Sequence, residues 1–223
     1  MQTQVAQRAR ITFGIADPLN YASVLDLGRL WERLMRRARL PLAHTQGFNP
    51  HPRLQFAAAL PVGYTSACEL LDVLLAEELA SDALHTALER QTPPGLSILH
   101  VEPVDLHAPS PQATMHAAHY RVDLAAPRSV DQVRAALSAL LARDAIPRER
   151  IRKGELRPYD LRPLILAIEL LTSDEQRHTL HMDLRCGQEG SGRPEEIVDA
   201  LELDATDTAI HRTRLIWGDN TEA

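Results

Sequence analysis

Cysteine, lysine, glycine and aromatic residues are all scarce in this chain, and each scarcity removes a class of function. The two cysteines, Cys68 and Cys186, stand far apart and lack the close spacing of metal-ligand pairs. They favour a reducing, cytoplasmic setting over a disulfide framework. Glycine is limited to 10 residues. The sequence has no P-loop, no GxGxxG after a strand and no GxSxG elbow, so phosphate-cradling loops and an elbow-borne serine nucleophile are excluded. Carboxylates are plentiful, but no spacing selects a pair for acid–base work, and neither cysteine has an assigned base. Aromatic content is only 4%, which argues against an extended base-stacking platform. No apolar run approaches the roughly 18 residues of a membrane span. The opening residues carry no secretory-type apolar segment, so a cytoplasmic protein without a membrane partner is expected. Lys153 is the only lysine among 24 basic residues.

What remains is ordinary globular material: 223 residues, 44% hydrophobic and 24% charged, enough for a substantial core. The net charge of −6 rules out generic binding to polyanions, so any nucleic-acid contact requires a local basic patch.

Periodicity gives a repeating order of elements. "RARITFGI" (8–15) alternates as a strand. "SVLDLGRLWERLMRRAR" (23–39) reads as a helix capped by Ser23, with Val24, Leu27, Trp31, Leu34 and Ala38 on one face and Arg29, Arg33, Arg36 and Arg37 on the other. "RLQFAAALPVG" and "CELLDVLLA" read as strands, residues 81–91 as a helix and residues 96–104 as a strand. An aperiodic stretch follows, and the pattern restarts. Strand "HYRVDLAA" leads to a helix over 129–144 with an apolar stripe of Val130, Val133, Leu137, Leu140 and Leu141. After it come the strand-like runs "RERIRKGEL", "LRPLILAIELLTS" and "RHTLHMDLRC", the helix "RPEEIVDALEL" and a closing strand "AIHRTRLIW". This order predicts an α+β fold of duplicated ferredoxin-like (split βαβ) units, with mostly antiparallel sheets and helices on one face. The expected division is a first unit over 1–106, a linker over 107–117 and a second unit over 118–223.

"HTQGFNPHPRLQF" (44–56) is the most distinctive stretch. Asn49 and His51 both precede proline, which stiffens them toward extended backbone, while Gly47 can take angles closed to other residues. Such a loop would present Asn49, His51 and Arg53 with little entropy left to lose on binding. The alternative is a rigid connector with Phe48 tucked into the core. Residues 1–57 also carry a local charge of +5, from eight arginines against Asp17, Asp26 and Glu32. Arg148, Arg150 and Arg152 form a second cluster on one side of a strand, and grouped arginines suit phosphates. Against that stands a solvated helix face paired with acids. The pairs His116/His119 and His178/His181 have the i, i+3 spacing of helical metal ligands. On strands that spacing points to opposite sheet faces, so partly exposed structural histidines are expected.

The run "SVLDLGRLWERLMRRARLPLAHTQGFNPHPRLQFAAALPVGYTSACELLDVLL" resembles the radical SAM-linked protein family, a domain found beside or fused to B12-type radical SAM proteins. "KGELRPYDLRPLI" (153–165) and the terminal "HRTRLIW" extend the resemblance along nearly the whole chain. It implies a radical SAM protein as partner. The iron–sulfur cluster and S-adenosylmethionine are expected on that partner, because Cys68 and Cys186 cannot assemble a cluster. Relatives of this kind lie near an RNase E/G-type ribonuclease and ribosomal protein genes, which points by association to structured RNA or the ribosome. Paired ferredoxin-like units also occur in some tRNA pseudouridine synthases, but neither Asp17 nor Asp26 sits in their arginine- and glycine-containing catalytic motif. The expectation is a non-catalytic accessory protein. Gly47, Phe48, Asn49, Pro50, His51, Pro52 and Arg53 would form its reading loop, and Arg29, Arg33, Arg36 and Arg37 would contact phosphate. Lys153, Asp160 and Arg162 would line the same surface. Two alternatives stay open: a module docking on the radical SAM partner without RNA, and an RNA-modifying enzyme using Asn49, His51, Asp160 and Arg162.

Overall fold

The computed structural model describes residues 5–152, 154–174, 176–187, 190–203, 205–217 and 221–222. It is a mixed α/β fold, mostly antiparallel sheet with helices. The chain divides into two compact units, Met1–Met115 with Trp217–Ala223, and His116–Ile216.

The first unit runs β1 (Gln7–Ile15), α1 (Val24–Arg37), β2 (Leu54–Phe56), β3 (Thr65–Leu75), α2 (Ser81–Glu89), β4 (Leu96–Val104) and the single helical turn α3 (Pro111–Thr114). β1 pairs antiparallel with β3 on one side and β4 on the other, and β2 pairs antiparallel with β3. The strand order is therefore β2-β3-β1-β4.

Ser23 starts α1 through a reciprocal capping box with Asp26. The serine hydroxyl, then the Ser23 backbone, hold the Asp26 carboxyl below its usual range. Leu27, Trp31, Leu34 and Met35 face the core. Trp31 packs edge-on against Phe13, with ring centroids 5.0 Å apart. Val24, expected inward, is exposed in the first turn of α1, and Met35, not foreseen, is fully buried in the core. The strand expected across 53–63 ends at Phe56, where the chain bends; further on, Pro61 offers no N–H to a ladder and Gly63 turns at φ 92°, so pairing does not resume before β3.

The local excess of positive charge is smaller than counted. Arg8 and Arg10 are two apart on β1 and share a face, and Asp72 stands opposite Arg10 in the β1–β3 register. Asp72, fully buried, accepts from Arg8 Nε at 2.7 Å and Arg10 Nε at 2.8 Å. Arg8 also donates to the carbonyls of Ala108 and Pro109. These two arginines belong to the interior, and the outward patch rests on α1 and the loop.

The second unit runs β5 (Met115–Ala125), α4 (Val130–Leu141), β6 (Pro147–Arg152), β7 (Glu155–Asp160), β8 (Ile165–Ser173), β9 (Arg177–Gly187), β10 (Gly190–Ser191), α5 (Pro194–Leu201) and β11 (Asp207–Trp217). β9 pairs antiparallel with β5 and with β8, and β5 neighbours β11. The resulting order, β8-β9-β5-β11, repeats that of the first unit, with β6 and β7 inserted before β8. Ser129 and Gln132 form a second capping box at α4. Val133, Leu137 and Leu140 are buried, while Val130 and Leu141 lie at the margin of the expected stripe. Tyr120, Val122 and Leu124 of β5 face inward with Leu180, Met182 and Leu184 of β9. The intervening residues make an outward, polar sheet face.

"RERIRKGEL" is not one strand. β6 and β7 form a separate antiparallel hairpin with Arg152 opposite Glu155, and Gly154 at φ 81° supplies the reversal. "LRPLILAIELLTS" likewise opens with a 3-10 turn over Arg162–Leu164 before β8, because Pro163 donates nothing to a ladder. The hairpin is anchored by Glu196 of α5, which accepts from Arg150 Nε at 2.8 Å and from the Tyr159 hydroxyl. Arg150 also stacks on the Tyr159 ring, 4.3 Å from its centroid, and donates to the Ser191 carbonyl. Burial pushes the Glu196 carboxyl up, but the Arg150 and Tyr159 hydrogen bonds outweigh it and hold the group below its usual range. Burial and then the Glu196 hydrogen bond push the Tyr159 phenol up. A carboxyl lowered by folding contributes stability above its unfolded pKa of about 4.3 and loses it as pH falls. Glu196→Gln is expected to flatten the loss of stability between about pH 5 and 3. Urea midpoints across that range check this, and equal acid sensitivity in the two proteins would contradict it.

Candidate recognition loop and basic helix

Between α1 and β2 the chain leaves the sheet and returns. Ala43 N–H donates to Leu74 O at 2.9 Å, and Arg53 N–H donates to Ala43 O at 2.9 Å. Higher up, His44 and Pro52 form an antiparallel bridge. Thr45 N–H donates to His51 O at 2.8 Å, and His51 N–H returns a bond to Thr45 Oγ1 at 3.0 Å. The neck is thus laced on both sides, and Gln46 to Pro50 project from it as an exposed tip. Gly47 sits at φ 127°, a conformation that side chains with a Cβ rarely adopt, and open space surrounds it. Phe48 is not tucked into the core: it is 107% exposed. Asn49 and Pro50 are exposed beside it, and Pro52 and Arg53 descend half-buried into the neck.

His51 leans back toward α1, its Nδ1 3.8 Å from Glu32 Oε1. Residues at i, i+3 and i+4 share a helix face. Glu32 therefore lies on the flank between the buried residues and the exposed Arg29, Arg33 and Arg36. Arg29 is 3.6 Å from Asp26 across an open surface, an arrangement that leaves its cation largely unspent. Arg33 Nε donates to the Arg29 carbonyl, which lays its side chain along the helix. Arg36 and Arg37 occupy the last turn, where positive charge complements the helix terminus. Loop and basic helix are thus brought together within the first unit.

The second unit supplies less of the expected site than its sequence promised. Asp160 Oδ1 accepts from the backbone N–H of Ile146 at 2.7 Å and of Arg162 at 3.0 Å, which commits the carboxylate to its own turn. Arg162 is half-buried and reaches the Ile165 carbonyl at 3.4 Å. Lys153 lies outside the described residues. Arg150, central to the second arginine cluster, is spent on Glu196. Among the histidines, His178 is corrected from partly exposed to fully buried, bridging Ser173 Oγ at 2.6 Å and the Ala126 carbonyl. His181, three residues on, faces outward, so the i, i+3 pair does not converge. Sequence reading missed Thr45 and Glu32. Thr45 six residues before His51 was the available signal for a clamped neck; Glu32 was visible only as the acid among the helix's arginines.

These features define an α+β protein that presents a clamped, exposed loop beside a basic helix. The chain belongs to the family described as uncharacterized protein conserved in bacteria (DUF2344), whose model matches residues 8–194. A comparison with curated proteins finds no match. Among solved structures, a chain of a Cbf5–Nop10–Gar1 complex is similar at TM-score 0.52 and 11% identity, over 93% of this chain and 48% of that one. A chain of the archaeal box H/ACA sRNP Nop10–Cbf5 complex gives 0.47 and 11%, over 93% and 47%. An unknown protein from Galdieria sulphuraria gives 0.28 and 13%, over 92% and 98%. This chain therefore spans about half the length of the first two. At such identities the first likeness concerns the fold alone. Among the described residues, no helix is long and apolar enough to cross a membrane.

Proposed function

We propose that the protein is a non-catalytic accessory factor that holds structured RNA for a radical SAM enzyme. In this reading the iron–sulfur cluster and S-adenosylmethionine reside on that partner, and both units are ferredoxin-like, a duplication supported by their common strand order. The observation that carries the proposal is the loop. A fully exposed Phe48 stands on a hydrogen-bonded neck whose His51 reaches the arginine-bearing helix. An aromatic tip beside unspent guanidinium groups offers stacking to an unpaired base and charge to its phosphates, and stacking alone is worth about 1–3 kcal/mol per base. The clamped neck reduces the entropy lost on binding.

The test is filter binding of the full chain to cellular RNA across a salt series. The logarithm of affinity is expected to fall linearly with that of salt, by about 0.7 for each phosphate contacted on single strands. Arg33→Glu with Arg37→Glu should weaken binding by about 100-fold at 0.1 M salt and flatten the slope by about 1.4, two contacts at about 0.7 each. An unchanged affinity and slope in the folded double variant overturns the assignment. Phe48 also favours a second reading, in which the loop docks on the radical SAM protein itself. Retention of that partner after nuclease treatment, lost on Phe48→Ala, would select it.

A further inference from the structure

The outward sheet face of the second unit carries a distinct cluster. His181 and Asp183 are two apart on β9 and so project from one face. The β5–β9 register sets His119 directly opposite Asp183. The three side chains, each about a quarter exposed, bring their ligating atoms within 4.8 Å of one another. His181 Nε2 is 2.7 Å and His119 Nδ1 3.5 Å from one atom, Asp183 Oδ1. The two rings meet edge to face with centroids 5.5 Å apart.

That oxygen is shielded from solvent, yet it has no aligned hydrogen-bond donor among the described residues. The approach of the imidazole nitrogens is therefore close but off the line that an N–H bond requires. Neutral imidazole and carboxylate present lone pairs, and lone pairs converging on one point are stabilised by a shared cation. Two histidines and one carboxylate are a donor set for Zn²⁺ and Fe²⁺, at about 2.0–2.2 Å from each atom. The surroundings favour a cation as well. Arg121, opposite His181 in the register, is paired with Asp123 at 3.0 Å. Glu169 stands opposite His181 on β8 and adds negative charge to the same strand pair.

We infer that His119, His181 and Asp183 form a site for a divalent transition-metal ion of the zinc or iron(II) type, with coordination positions left open to water or an oxygen ligand. The site is independent of the recognition loop and goes beyond the accessory role. It is tested on the full, untagged chain by calorimetric titration with Zn²⁺ and by Co²⁺ absorption. One ion per chain is expected, with affinity falling about tenfold or more in His181→Ala and in Asp183→Asn. His107→Ala, at an exposed histidine elsewhere, should leave it unchanged. Imidazole ¹⁵N resonances of the unmodified protein give a readout that does not depend on any variant folding. Zn²⁺ should shift His119 and His181 and spare the other eight of the 10 histidines. No binding by the natural chain, shifts confined to other histidines, or equal affinity in both folded variants overturns the site.

Discussion

Asp72→Ala is expected to destabilise the first unit by about 3–5 kcal/mol, read as a lowered urea midpoint. The carboxylate is fully buried and accepts from two guanidinium groups at once, so its loss strands two charges in the interior. Arg8 keeps the carbonyls of Ala108 and Pro109 and is partly compensated. Arg10 is 11% exposed and loses its carboxylate partner, so it bears more of the penalty. Replacing all three by apolar residues of similar volume should cost far less, because the expense lies in the unpaired charge rather than in lost attraction. An Asp72→Ala protein as stable as the natural chain would mean that water or a shifted acid reaches the site. The same variant bears on recognition. It raises net charge by one unit, yet RNA affinity should not rise in the fraction that stays folded, because Arg8 and Arg10 are held inside.

How much of this was legible in the sequence depends on whether the determining contact is local. Ser23 with Asp26 three residues on, then apolar residues at helical spacing, specify α1 within a single turn of chain. Gly47 and the two prolines announce a stiff loop for the same reason: each acts on its own backbone or its neighbour's. Register is different. That Asp72 faces Arg10 follows from the pairing of strands 62 residues apart, which no local pattern encodes. Reading Arg8 and Arg10 as surface charge was the natural error. The histidines were read with the right period: on a strand His178 and His181 part to opposite faces, and only the burial of His178 went unforeseen. What no local pattern carries is that His119, from another strand, lies opposite Asp183. The β6–β7 hairpin was hidden because "RKG" interrupts a run of strand-forming residues without Asn-Gly or Asp-Gly to mark a turn. Pairing in the sheets and the neutralisation of Arg150 by Glu196, 46 residues away, belong to tertiary structure.

Trp31 separates loss of fold from loss of recognition. Its ring is fully buried against Phe13 and fixes which face of α1 points inward, and therefore which face carries Arg29, Arg33 and Arg36 outward. Trp31→Ala should cost about 3–5 kcal/mol through lost burial and the cavity left behind. RNA binding should then fall only in proportion to the unfolded fraction. Trp31→Phe should behave differently. The indole Nε1 is buried without a hydrogen-bond partner among the described residues, and an unsatisfied donor of that kind costs about 1–3 kcal/mol. Phenylalanine removes the donor while keeping an aromatic ring against Phe13. The smaller ring forfeits about 1–2 kcal/mol of burial, so the two effects nearly cancel and the net change should stay within about 1 kcal/mol. Binding should be retained, in contrast to the arginine reversals, which should weaken it about 100-fold and leave the melting transition in place. If phenylalanine destabilises as severely as alanine, the indole nitrogen has a partner that its present environment does not account for.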